Sequence, residues 1–161
     1  MRESADMPRR AQFLSAAVSA GMLITMVAYA ASREDGKATF ERREDTMKHM
    51  GRPLYLGIGR VVKGTAPWGP ETVAAAETVA SLASTLDRTL FAPGSNIAES
   101  KLKPAIFAAG DQVDQLIATV QTATSRLVPA VKSGDKAVIA AAYTVADDAC
   151  NACHTKFRAA K

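Results

Sequence analysis

The stretch CNACHTKFRAAK, residues 150–161, holds both cysteines of the chain, and His154 directly follows the second. On a helix Cys150, Cys153 and His154 lie three and four residues apart, so all three project from one side. A redox CxxC normally opens a helix, where the N-terminal dipole lowers the thiol pKa, and belongs to a strand-and-helix domain. This one closes a helix. A structural zinc site needs four ligands, and His49 alone cannot complete the set. A disulfide between Cys150 and Cys153 is the plainer alternative for an exported chain, but a regular helix would have to distort to join them, and His154 would be left without a role. Covalent haem uses all three groups: each thiol adds to a vinyl carbon, and the imidazole gives a ring nitrogen to the iron.

The first thirty residues agree with that chemistry. Arg2, Arg9 and Arg10 precede an uncharged run from Ala11 to Ser32, and Ala28-Tyr29-Ala30 supplies a small-x-small cleavage pattern. Residues 1–30 therefore read as a cleavable export signal, with an uncleaved membrane anchor as the alternative. Removing them takes three of 20 Lys+Arg and two of 16 Asp+Glu, which leaves a formal charge of +3. The remaining charges form no basic block and are not interleaved with aromatics, so the sequence predicts no nucleic-acid partner.

Residues 31–161 read as one domain. Alanine is abundant, aromatics make up 6% of the chain, and apolar residues recur at three- and four-residue spacing in four segments. That pattern predicts an all-α fold, a bundle of four helices. The first helix runs from about Ala38 to Lys63, with a kink at Pro53. The second runs from about Glu71 to Leu86, with Pro70 in its first turn. A long connection, LFAPGSNIAESKLK, precedes a third helix that opens near Pro104 and ends near Pro129. The last spans about Lys136 to Arg158, capped by Ser133 or Asp135.

Several pieces together resemble the class II cytochromes c, the cytochrome c-prime family, from about Ala38 to Arg158. CNACHTKFR is similar to the family's C-x-x-C-H-x-x-[Tyr/Phe]-Arg, which brings in Phe157 and Arg158. LFAPGS followed by KPAIF resembles the crossover, VKGTAPW the loop after the first helix, and RREDTMKHMG the pattern carried here by Arg43, Met47, Lys48 and Gly51. The resemblance implies a left-handed antiparallel four-helix bundle holding one haem c, attached near the C-terminus. It also implies a periplasmic protein, with the membrane involved only if the leading segment is retained. Family bundles often pair through their first two helices, so a homodimer is compatible with the small residues of the second.

The family has two kinds of member. One carries single electrons between redox partner proteins through an iron closed by a first-helix methionine, like the low-spin cytochrome c-556 type. The other leaves the iron five-coordinate and binds NO or CO. Met47 stands at the matching position, which implies His154 and Met47 as iron ligands; the plain alternative is that Met47 only fills core. Met50, one turn on, is the reserve ligand, and His49, offset by about 200° from Met47, faces solvent. Arg43 and Arg158 are implied partners of the haem carboxylates, Phe157 packs on the ring or a neighbouring helix, and Trp68 plugs the bundle end. No acid–base pair, phosphate loop or nucleophile–base constellation points to an enzyme.

Overall fold

The computed structural model describes residues 35–160, so the leading segment read as an export signal lies outside the described residues. Four helices follow in chain order: α1 (35–62), α2 (Pro70–Ser84), α3 (Gly110–Lys132) and α4 (Lys136–Phe157). Short loops join α1 to α2 and α3 to α4, which makes each pair antiparallel neighbours. The long connection between α2 and α3 carries two short 3-10 turns, Arg88–Phe91 and Pro104–Ala108. Among the described residues there is no strand, only an isolated antiparallel bridge between Leu102 and Arg158.

Pro53 acts on α1 as its chemistry requires, since it cannot donate to the preceding turn. It heads a six-residue π-helical stretch, Pro53–Ile58, before the chain returns to α geometry. Within and just beyond that stretch two glycines let neighbours approach. A Cβ on Gly57 would lie 2.9 Å from the Ala75 Cβ on α2, and one on Gly59 would lie 2.9 Å from the Tyr143 hydroxyl on α4.

The caps explain where the helices begin. Pro70 takes the first position of α2, and the Thr72 hydroxyl accepts from the Gly69 N–H at 3.3 Å. Of the two candidate caps for α4, Asp135 takes the role: its carboxylate accepts from the N–H groups of Ala137 and Val138 at 2.8 and 3.1 Å. Ser133 instead turns its hydroxyl back to the Ala130 carbonyl. Two boundaries differ from the sequence reading. Pro104 opens a 3-10 turn and α3 begins at Gly110, while Pro129 lies inside α3, which continues to Lys132. The turn at Pro104 follows from the extended backbone of Lys103, which lies outside helical space before the proline.

The core joins Leu54 and Ile58 of α1, Ala76, Val79 and Ala83 of α2, Val120, Leu127 and Val131 of α3, and Ile139 and Ala146 of α4. Trp68 covers the end of the bundle beside α3: its indole N–H donates to the Val131 carbonyl at 2.9 Å, and its ring lies near Gly134.

Candidate haem site

Cys150 is buried and Cys153 half-buried on the last turns of α4, and both thiols are free. Burial pushes the Cys150 thiol up to about 11, helped by the Asp147 carboxylate and by Cys153. The Cys153 thiol is raised by burial as well. Burial first, and then the Arg158 charge, hold the His154 imidazole below its ordinary value, with Asp147 opposing. A neutral imidazole is the form that offers a lone pair to a metal.

These three side chains form one wall of a cavity of about 510 Å³. Met47, Met50, Gly51 and Leu54 of α1 form another, and Leu116, Ile117 and Val120 of α3 a third. The crossover closes the remainder with Leu86, Phe91, Leu102 and Ile106. Arg43, Phe157 and Arg158 also line it, so every site residue named from the sequence meets at one place. His49 does not line it; its Nδ1 lies 2.9 Å from the Asp45 carbonyl on the exposed side of α1.

The crossover is held down by two devices that local sequence patterns do not reveal. Arg43 is buried, and its guanidinium donates four hydrogen bonds: Nη1 to the Leu90 carbonyl and the Ser95 hydroxyl, Nη2 to the Ser95 carbonyl and the Ser100 hydroxyl. Its two terminal nitrogens are thereby filled, and the Nε–H remains. The second device lies at the C-terminal end of α4. Lys103 N–H donates to the Phe157 carbonyl at 2.8 Å, and Ala159 N–H to the Lys101 carbonyl at 2.8 Å, so residues 101–103 run beside residues 157–159. Lys101 and Arg158 thus reach the same edge of the cavity. Lys101 and Tyr55 are lining residues the sequence reading did not name. Both depend on contacts between distant segments.

The cavity suits a flat apolar group that carries carboxylates at one edge. Its volume falls within the roughly 300–1,000 Å³ usual for cofactor sites, its walls are mostly aliphatic, and the cations Lys48, Lys101 and Arg158 stand among its lining. Two free thiols and an imidazole share one wall. The donor set therefore fits haem.

The model of the family described as cytochrome c′ matches residues 38–158. The chain belongs to the cytochrome c′ family. It is 30% identical over 121 residues to cytochrome c-556 of Agrobacterium tumefaciens (strain II Chrys), an alignment covering 75% of this chain and 97% of that protein. It is likewise 30% identical to cytochrome c′ of Rubrivivax gelatinosus, over 68% of this chain and 82% of the relative. Among solved structures, cytochrome c′ from Thermochromatium tepidum superposes with a TM-score of 0.72 at 26% identity, covering 78% of this chain and 97% of that one. The four-helix fold is the one expected from the sequence, and the cofactor of the family is covalently bound haem c with its iron.

Proposed function

We propose that this cytochrome c′ family member is a periplasmic one-electron carrier whose haem is bound by Cys150 and Cys153 and whose iron is ligated by His154 and Met47. The carrying observation is that Met47 on α1 and His154 on α4 line the same cavity from different walls. Bound haem supplies one iron that alternates between ferric and ferrous. A thioether ligand from Met47 would favour the ferrous state and limit reorganisation on electron transfer. Met50 is 5% exposed and belongs to the core cluster. Its role is packing.

Arg158 and Lys101, at the bridge between the crossover and the C-terminus, would pair with the haem carboxylates, and Arg43, which fixes the crossover, would add its remaining Nε–H. Phe157, buried at the end of α4, closes the cavity beside the imidazole. The reading of residues 1–30 as an export signal supports a periplasmic location, where redox proteins would be the partners. No helix among the described residues is long and apolar enough to cross a membrane. Two copies pair through α1 and α2, where Leu56 is 58% exposed; sedimentation of the purified holoprotein tests this.

A second reading, a five-coordinate protein that binds NO or CO, is favoured by one observation: Met47 also packs against the core, as a gap-filling side chain would. Carbon monoxide titration of the ferrous protein separates the two. An electron carrier closed by Met47 binds it weakly until Met47 is replaced by Ala, whereas an open iron binds it at once.

A further inference from the structure

Besides Glu44 and Glu99, which line the cavity itself, one carboxylate stands just outside the haem wall without a part in the family pattern. Asp147 precedes Cys150 by three residues and His154 by seven on α4. Seven residues at 100° each return to within about 20° of the start, so Asp147 lies on the stripe that carries His154, about 10 Å away along the axis. Its position is fixed from across the bundle: the Tyr55 hydroxyl on α1 donates to Asp147 Oδ1 at 2.9 Å. Tyr55 itself lines the cavity, at the π-helical stretch headed by Pro53.

The charge is left uncompensated. Among the described residues the ion pairs join Lys37 to Glu41, Lys48 to Glu44, His49 to Asp45, Arg88 to Asp114 and Lys132 to Glu77, and Asp147 takes part in none. Its neighbours are phenols, Tyr55 and Tyr143, which stay neutral at pH 7 because burial and then the carboxylate hold their pKa values up. Cys150 and His154 follow Asp147 by one and two turns of α4, and both line the cavity. A phenol orients a carboxylate without cancelling its charge, so the arrangement keeps a full negative charge at a set distance from the iron ligand.

We propose that Asp147, oriented by Tyr55, is a fixed negative charge that biases the haem iron toward the ferric state. The proposal rests on His154 being an iron ligand and holds for either sixth-position reading. Removal of a unit charge about 10 Å from the iron ligand, at an effective dielectric of about 20, shifts a one-electron equilibrium by on the order of tenfold. Tyr55 is a positioning residue: without its hydroxyl the carboxylate turns to water and its influence weakens.

The test is a spectroelectrochemical titration of the purified holoprotein and three variants. Asp147→Asn should raise the ferrous-to-ferric ratio at a fixed applied potential roughly tenfold, Asp147→Glu should leave it close to the unmutated value, and Tyr55→Phe should raise it by less than Asp147→Asn. The absorption spectra should keep their spin-state features throughout. An unchanged ratio in Asp147→Asn overturns the proposal, as does a shift in Asp147→Glu as large as that in Asp147→Asn, which would mark a packing effect. If Asp147→Asn does not load haem, Tyr55→Phe decides alone, and no shift there is a refutation. Failure of the Met47 reading would show separately, as a high-spin spectrum in the unmutated protein, and would leave the comparison of ratios intact.

Discussion

Arg43 and Ser95 are joined twice: Nη1 donates to the Ser95 hydroxyl and Nη2 to the Ser95 carbonyl, both at 2.8 Å. Ser95 is completely buried, and the pair fastens the crossover to the cavity-facing side of α1. Replacement of Arg43 by Met would leave the Leu90 and Ser95 carbonyls buried without donors. We expect a loss of about 3 kcal/mol in denaturant unfolding of the holoprotein. Arg43→Lys should recover part of it, because an ammonium cannot reproduce the two-pronged geometry.

Gly57 of α1 should not tolerate alanine. A Cβ there would sit 2.9 Å from the Ala75 Cβ, so Gly57→Ala forces α1 and α2 apart and should cost about 1–3 kcal/mol. Thermal melts of the unmutated and variant holoproteins check this.

Loss of the haem attachment should be far more damaging. The double variant Cys150→Ala, Cys153→Ala leaves a cavity of about 510 Å³ between α1, α3 and α4 without its covalent filling. We expect its thermal midpoint to fall far below that of the holoprotein and the protein to bind a hydrophobic dye. A single replacement at either cysteine should keep at most one thioether, visible by mass after denaturation.

The haem-free form should also become acid-sensitive. Burial lowers the His154 pKa, so below the ordinary histidine range the unfolded chain takes up a proton that the folded chain resists. The His154 contribution is therefore fully present above about pH 6.5 and is lost as pH falls through the lower, folded-state pKa. Urea midpoints of a haem-free preparation between pH 8 and 5 should fall, and His154→Gln should flatten that decline.

The helices were legible because Cys150, Cys153 and His154, Met47 and Leu54, or Val120 and Leu127, recur at helical spacing, and Pro70 and Asp135 are start signals with local mechanisms. The π-helical stretch was not, since Pro53 announces a disturbance without specifying its geometry. The start of α3 was misplaced because Pro104 is as compatible with a 3-10 turn as with an α-helix. Arg43 was legible as a site residue only through the family pattern, and its bonds to Leu90, Ser95 and Ser100 span 47 to 57 residues. The bridge that brings Lys101 beside Arg158, and the Tyr55–Asp147 hydrogen bond across 92 residues, leave no trace in local periodicity.

The most direct test of the account is the ferric absorption spectrum of the purified holoprotein beside that of Met47→Ala. Ligation by the Met47 sulfur predicts a low-spin spectrum with the weak long-wavelength charge-transfer band of a thioether on His-ligated haem. The band should be absent from Met47→Ala and retained in Met50→Ala. A high-spin spectrum in the unmutated protein would contradict the account and establish the open, gas-binding iron; a low-spin spectrum that survives Met47→Ala would contradict it too, by moving the ligand to another residue.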